Sequence, residues 1–115
     1  GCSLGGAVSL QLALAFPRRF VNVMSLSGAF YPSSQAAIAA AGDLSHLNIF
    51  MTVGLQETAF KTDRGVFDFV AMNRTARKLL EERGARVEYA ERDGEHLWGY
   101  WQKVVPDGLK WFAGL

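Results

Sequence analysis

The sequence has 115 residues, half of them hydrophobic, and its 12 basic and 11 acidic side chains leave a net charge of +1. This size and hydrophobic content suit one small globular domain. Acidic and basic residues are mixed along the chain without a basic run, so neither nucleic acid nor a membrane is expected as a partner. The single cysteine, Cys2, excludes an internal disulfide and a multi-cysteine metal site.

Residue patterns predict helices and strands in alternation. Helices are predicted over residues 4–16, 35–41, 67–83 and 97–115, the last interrupted or bent near Pro106, and strands over residues 20–25, 48–54 and 86–90. Residues 55–64 are expected to form a polar loop. The alternation is typical of α/β proteins, in which right-handed crossovers place parallel strands in one sheet. Residues 48–54 are nearly all apolar, as expected of a parallel strand covered on both faces.

The first six residues, Gly1-Cys2-Ser3-Leu4-Gly5-Gly6, match the Gly-x-Ser-x-Gly nucleophile elbow of α/β-hydrolases. In this motif a strand turns sharply into a helix, and the serine projects from the turn in a strained backbone conformation. Small residues at Gly1 and Gly5 let the backbone and the helix approach each other. Ser3 is therefore the candidate nucleophile. The backbone N–H of Leu4, at the start of the helix, is the candidate oxyanion donor.

The elbow stands at the start of this sequence. The strand that leads into Ser3, and the loop that supplies a second oxyanion donor, are therefore expected before Gly1. Residues 1–115 are predicted to be the C-terminal half of an α/β-hydrolase fold, a partial esterase domain that lacks its N-terminal strands. The missing half of the same domain is the expected partner. Without it we expect the chain to be inactive and poorly folded, with strand 48–54 at an open sheet edge.

Only two histidines are available as the base that a serine hydroxyl requires. His96 lies in the loop after the last predicted strand, where the histidine of an α/β-hydrolase belongs. His46 precedes a strand, whereas active sites of parallel sheets form beyond the carboxyl ends of the strands. His96 is therefore the candidate base, and His46 is interpreted as a surface residue.

Several carboxylates are candidates for the acid that orients the histidine. Glu57 lies three residues beyond strand 48–54 and is favoured. Asp63, in the same loop, is alternatively a solvated ion-pair partner of Arg64. Asp93 is alternatively a turn residue, and Glu95 is the least favoured because it is expected to point away from its neighbour His96.

Three aromatic residues, Trp98, Tyr100 and Trp101, follow the candidate histidine. Core packing of the last helix accounts for aromatic residues at this spacing, and this interpretation is preferred for Trp101. Trp98 is close enough to His96 in sequence to form part of an aromatic wall for an acyl or aryl group. It is the candidate substrate-binding residue.

Several motifs resemble the putative-esterase family, which is related to esterase D and includes enterochelin esterases and feruloyl or acetyl-xylan esterases. They are Gly-Cys-Ser-Leu-Gly-Gly, Phe-Pro-Arg-Arg-Phe, Ser-Leu-Ser-Gly-Ala-Phe, Val-Gly-Leu-Gln-Glu and Asp-Gly-Glu-His-Leu-Trp-Gly-Tyr-Trp. The resemblance runs along the whole chain but covers only the C-terminal half of the family's domain. Val53-Gly54-x-x-Glu57, Gly94-x-His96 and the pair Trp98 and Trp101 look most like the enterochelin-esterase branch.

The resemblance implies that Ser3 is the nucleophile, His96 the base and Glu57 the acid. The sequence departs from the family's usual Gly-Gly-His-Asp, because Glu95 replaces the second glycine and Leu97 replaces the aspartate. This difference affects the shape of the histidine loop and leaves the three implied catalytic residues in place.

The expected activity is that of a serine carboxylic-ester hydrolase that works through an acyl-enzyme. Its substrate would be a small-molecule or carbohydrate-linked ester: a siderophore lactone, an aryl ester on plant polysaccharide or a simple acyl ester. This chemistry requires no cofactor and no metal. The alternatives are an acyltransferase on the same fold and a non-catalytic fragment that keeps the pattern without the function.

Overall fold

The computed structural model describes all residues from Gly1 to Leu115. It contains four helices and five strands in the order α1 (Leu4–Ala15), β1 (Asn22–Leu26), α2 (Pro32–Ala40), β2 (Asn48–Gly54), β3 (Phe60–Thr62), β4 (Gly65–Phe67), α3 (Phe69–Glu82), β5 (Arg86–Arg92) and α4 (Trp98–Ala113). The predicted alternation of helices with three longer strands is confirmed, and the chain is an α/β protein.

The three longer strands form one parallel sheet in the order β1-β2-β5. In its register Ile49 of β2 lies between Val23 of β1 and Val87 of β5. The prediction that residues 48–54 lie at an open edge is wrong, because β2 pairs on both sides and the open edges belong to β1 and β5. Cys2 extends the sheet locally through a parallel bridge to Leu26 at the end of β1.

Two apolar clusters cover the two faces of this sheet. Residues of α1, α2 and α3 pack with alternate residues of the strands, including Val23, Ile49 and Met51, to form the larger cluster. On the opposite face, α4 packs against Leu26 and Phe50. Successive side chains of a strand point to opposite faces, so a central strand between two helical layers is apolar at nearly every position. This explains the composition of β2.

One side of α1 is not covered by the rest of the chain. Small and apolar side chains at Ala7, Leu10 and Ala13 face the core. The residues at the opposite positions are large, apolar and exposed, and we call them the exposed α1 face: Leu4, Val8, Leu12 and Phe16. Isolated exposed apolar residues are common, whereas a contiguous set on one helix face is typical of a surface that contacts another polypeptide segment.

Three local predictions differ from the structure. Residues 55–64 contain β3, which pairs antiparallel with β4 as a short hairpin, and three-residue strands are too short to reveal their alternation in sequence. Helix α2 begins at Pro32, three residues early, because proline is well tolerated in the first turn of a helix. Helix α4 is continuous from Trp98 to Ala113, so the first of the two alternatives predicted at Pro106, an interruption, is absent.

None of the four helices has the length and apolar character that crossing a membrane requires.

Candidate active site

The predicted nucleophile lies in a strained turn between the bridge at Cys2 and the start of α1. Ser3 has φ 54° and ψ −123°, a positive-φ conformation that is uncommon for a residue with a Cβ. Hydrogen bonds hold it there: the Ser3 N–H donates to the carbonyl of Leu26 at 2.9 Å, and the Ala29 N–H donates to the Ser3 carbonyl at 2.9 Å. The end of β1 and the loop after it therefore fix the turn that carries the serine.

Gly1 and Gly5, which flank Ser3 in the motif, differ in the space that is available for a side chain. A Cβ at Gly1 would lie 2.5 Å from the backbone of Gly5, so the chain could not turn this sharply with a side chain there. A Cβ at Gly5 would meet no atom within 4 Å. The prediction that both positions need small residues is right for Gly1 and wrong for Gly5.

The hydroxyl of Ser3 begins a hydrogen-bonded chain through the imidazole of His96 to the carboxylate of Glu57. His96 Nε2 lies 2.9 Å from Ser3 Oγ, and His96 Nδ1 lies 2.6 Å from Glu57 Oε1. An ionised carboxylate only accepts hydrogen bonds, so Nδ1 carries the proton and donates. In neutral imidazole Nε2 is then an acceptor, and the Ser3 hydroxyl donates to it.

The carboxylate of Glu57 is completely buried, with a side-chain exposure of 0%. Its second oxygen, Oε2, accepts from the Ser27 hydroxyl at 2.7 Å and from the Gly54 N–H at 2.5 Å. A buried charge without such donors costs several kcal/mol. Glu57 therefore sits in a site built for a carboxylate, at the carboxyl end of β2.

Aromatic rings surround the imidazole of His96, whose side chain is only 7% exposed. Ring centroids of Phe60, Phe69 and Trp101 lie 4.3, 4.5 and 4.9 Å from that of the imidazole. Phe60 belongs to β3, so the short hairpin places a ring over the histidine. A cavity of about 280 Å³ lies beside His96 and is lined in part by Phe60, Glu95 and Leu97.

The other predicted site residues lie away from this chain of hydrogen bonds. The side chains of His46, Asp63, Asp93 and Glu95 are exposed. None of them is hydrogen-bonded to His96, whose ring nitrogens contact Glu57 and Ser3. Asp63 forms no ion pair with Arg64, although such a pair was the alternative interpretation for it.

Trp98 and the Leu4 N–H are both without contacts that would prevent the roles predicted for them. Trp98 is 66% exposed, and its ring stands edge-on to that of Trp101 with centroids 5.2 Å apart. Leu4 is the first residue of α1, and the first amides of a helix have no acceptor within it. The Leu4 N–H, directly after Ser3, is therefore a donor without an intrahelical partner.

Two polar contacts at the site were not predicted. The Ser27 hydroxyl donates to Glu57, and the indole N–H of Trp101 donates to the Ser27 hydroxyl at 2.9 Å. The sequence suggested only core packing for Trp101, whereas the structure also shows this hydrogen bond to Ser27. A signal for Ser27 existed in its position directly after a strand, at the edge where parallel sheets form their sites. Its pairing with Trp101, 74 residues away, left no local pattern.

Cys2, next to the serine, is poorly suited to compete as a nucleophile. Burial raises the pKa of its thiol above the ordinary value, and the thiolate is the reactive form of cysteine. Of these two side chains, only the Ser3 hydroxyl is hydrogen-bonded to His96.

A parallel sheet with helices on both faces, a sharp turn at Ser3 between the bridge at Cys2 and α1, and polar residues that meet beyond the carboxyl ends of the strands together are typical of an α/β-hydrolase-like fold. The model of the family described as "Putative esterase" matches residues 1–112. The chain belongs to this family, as its sequence motifs predicted.

Curated relatives agree with the family. An uncharacterised protein of Bacillus subtilis, YjcH, is 35% identical over 111 residues, which cover 96% of this chain and 46% of that protein. An acetyl esterase of Caldicellulosiruptor saccharolyticus is 25% identical over 140 residues, covering 98% of this chain and 53% of that protein. The chain therefore spans about half the length of the curated relatives that it matches.

Solved structures share the fold at lower identity. The enterobactin esterase of Shigella flexneri superimposes with a TM-score of 0.79 at 22% identity, over 95% of this chain and 29% of that one. A ferulic acid esterase superimposes with a TM-score of 0.77 at 16% identity, over 93% of this chain and 46% of that one.

The backbones at Gly54 and Gly94 approach so closely that no side chain fits at Gly54, which can be tested. A Cβ there would overlap the carbonyl of Gly94 and lie 2.9 Å from Glu57 Oε2. We expect Gly54→Ala to lower the free energy of unfolding by about 1–3 kcal/mol, the usual cost of overpacking. Thermal or urea unfolding measures it.

Gly99, in the first turn of α4, provides the matched control, because a Cβ there would meet no atom within 4 Å. Gly99→Ala should leave the protein equally stable or stabilise it by at most about 1 kcal/mol. Equal unfolding midpoints for the two variants would contradict the close approach of Gly54 and Gly94.

Proposed function

We propose that this protein is a serine carboxylic-ester hydrolase in which Ser3 is the nucleophile, His96 the base and Glu57 the acid. The observation that carries the proposal is the hydrogen-bonded chain from Ser3 Oγ through the imidazole to Glu57, with distances of 2.9 and 2.6 Å. A nucleophile within hydrogen-bond reach of a base that a third group orients is the arrangement that activates a serine. Membership of an esterase family supports the same reaction class.

In the first half of the reaction, Ser3 Oγ attacks the carbonyl carbon of the ester while its proton moves to His96 Nε2. The imidazolium that forms is stabilised by the Glu57 carboxylate through Nδ1. The carbonyl oxygen becomes an oxyanion, to which the Leu4 N–H donates. Collapse of this intermediate breaks the ester C–O bond. The alcohol leaves with the proton from Nε2, and the acyl group remains on Ser3.

In the second half, water replaces the alcohol. His96 Nε2 takes a proton from the water, whose oxygen attacks the acyl carbonyl and forms a second oxyanion at the same donor. When that intermediate collapses, Ser3 Oγ recovers the proton from Nε2 and the carboxylic acid is released. Each residue ends in its starting protonation state, as a catalytic cycle requires.

The surroundings of His96 and the relatives support a proposal for the substrate class. We propose an ester with an acyl or aryl group, which Trp98 contacts on its exposed face. The cavity beside His96 has apolar and polar lining residues, suited to such a group. Proteins named for acetyl, ferulic acid and enterobactin ester hydrolysis are among those that this chain resembles.

We further propose that residues 1–115 form the C-terminal half of the hydrolase domain. The exposed α1 face and the open edge of β1 lie beside each other, because α1 follows the bridge between Cys2 and Leu26. A segment that completes the sheet at β1 would cover that face. The coverage of about half of each curated relative supports this organisation.

The nucleophile can be tested in the full-length protein with a fluorophosphonate probe, which reacts with activated serines. The probe should label Ser3, and Ser3→Ala should abolish both labelling and hydrolysis of a short p-nitrophenyl ester. Ser9, a hydroxyl on α1 that donates only to the carbonyl of Gly5, offers a matched control, and Ser9→Ala should keep both activities. Labelling that survives Ser3→Ala would disprove the assignment.

The acid can be tested by comparing carboxylates. We expect Glu57→Gln to lower kcat by about 10²–10⁴-fold, because the histidine loses control of its tautomer and the stabilisation of its charged form. Asp63→Asn and Asp93→Asn should each cost less than about tenfold, since both side chains are exposed and away from His96. Steady-state hydrolysis of the same ester measures all three, and a larger loss for Asp63→Asn would reject Glu57.

The proposal of a half domain predicts the behaviour of residues 1–115 expressed alone. Burial of apolar surface stabilises by roughly 25 cal/mol per Å² and a domain is stable by only about 5–15 kcal/mol, so an uncovered α1 face weakens the isolated chain severely. With a single backbone donor for the oxyanion, kcat should fall by a further factor of about 10²–10³.

Size-exclusion chromatography, thermal unfolding and ester hydrolysis measure this outcome. The isolated chain should aggregate or unfold without cooperativity and should not hydrolyse the ester. A monomeric product that unfolds cooperatively and is active would show that these residues are a self-sufficient domain.

A further inference from the structure

Ser27 has features that the proposed reaction does not use. It follows β1 directly, its side chain is fully buried, and its φ of 51° is one of two positive values at residues other than glycine. The other is that of Ser3. Such a conformation costs of order 1–3 kcal/mol and persists where the surroundings impose it. Here the Ser27 N–H donates to the carbonyl of Thr52 at 2.8 Å, which holds the backbone to β2.

The partners of the Ser27 hydroxyl determine in which hydrogen bond it donates and in which it accepts. The indole nitrogen of Trp101 is only a donor, so Ser27 Oγ accepts from it at 2.9 Å. The one hydroxyl proton is then directed to Glu57 Oε2, 2.7 Å away. Trp101 thereby sets the direction in which Ser27 donates, since a free hydroxyl rotates to suit any acceptor.

We propose that Ser27 and Trp101 are positioning residues for the acid, an inference that rests on the proposed triad. With the Ser27 hydroxyl and the Gly54 N–H both donating to Oε2, the plane of the Glu57 carboxylate is fixed. Oε1 remains for His96 Nδ1, which selects the tautomer whose Nε2 faces Ser3 Oγ. Trp101 acts through Ser27, and Ser27 acts through Glu57. Ser27 forms no hydrogen bond with His96 or Ser3, and Trp101 meets His96 only through the packing of its ring edge-on to the imidazole.

Ser25, in β1 two residues before Ser27, provides a matched control. Like Ser27, it is a fully buried serine, but its hydroxyl has no hydrogen-bond partner. Both belong to the Ser-Leu-Ser-Gly motif at residues 25–28. A purely structural role for buried serines of this motif predicts similar effects at both positions. The positioning role predicts an effect on turnover at Ser27 alone.

The test uses the full-length protein and a p-nitrophenyl ester. Ser27→Gly removes the hydroxyl and accommodates the positive φ, and its thermal unfolding is measured to verify that the variant folds. We expect kcat to fall by about 10–100-fold, the range for losing a hydrogen bond to a buried charged group. KM should change little, because the lost contact acts on the histidine and not on substrate binding. Labelling by fluorophosphonate should slow in parallel with kcat, and Ser25→Ala should leave both unchanged.

A double-mutant cycle isolates the action of Trp101 through Ser27. Trp101→Phe keeps an aromatic ring and removes the donor, so it should lower kcat when Ser27 is present and have little further effect in Ser27→Gly. Additive losses, a wild-type kcat in Ser27→Gly, or an equal loss in Ser25→Ala would each overturn the inference. Ser3→Ala is measured beside them. If it retains activity, the proposed triad fails; if it is inactive and Ser27→Gly is not impaired, only the positioning role fails.

Discussion

The arrangement of the site depends on the burial of the Glu57 carboxylate. A charge removed from water must be compensated by donors, or it costs several kcal/mol. Its three donors are the Ser27 hydroxyl, the Gly54 N–H and His96 Nδ1. They come from the carboxyl ends of β1, β2 and β5 respectively, the three neighbours of the parallel sheet. The strand order therefore decides whether the carboxylate can be buried at all.

The imidazole is set in a largely apolar surrounding that complements this polar core. Phe60, Phe69 and Trp101 contact the ring of His96 from a hairpin and two helices. Excluding water lowers the local dielectric, which strengthens the interaction between the imidazole and the carboxylate. In the proposed reaction this favours the charged pair that forms when Ser3 loses its proton. The short hairpin of β3 and β4, minor in the architecture, thus contributes directly to the environment of His96.

Much of the fold and of the site was accessible from sequence, for local reasons. The elbow motif, the apolar run of β2 and the loops after β2 and β5 can each be recognised from a few consecutive residues. They pointed to Ser3, Glu57 and His96, which the structure brings together, while their roles are proposed. The family and the α/β class followed from the same residues and are confirmed.

Two of the errors, the edge position of residues 48–54 and the missed contact between Ser27 and Trp101, share one physical cause, which is that adjacency in the fold is not a local property of the sequence. Residues 48–54 are apolar because helices cover both faces, and this composition does not reveal which strands pair on either side. Ser27 and Trp101 meet because β1 lies next to β2 and α4 crosses that face of the sheet. Their contact spans 74 residues. The hydrophobic periodicity within a segment does not indicate such a long-range contact.

The separation of Ser3 and His96 by 93 residues has a consequence for biosynthesis. A ribosome adds about 5–20 residues per second, so the serine is made on the order of ten seconds before its hydrogen-bond partner. During that interval the elbow can contact β1 and the elements that follow it, but not His96, because β5 and the loop after it do not yet exist. The hydroxyl meets the imidazole only when the last strand takes its place beside β2.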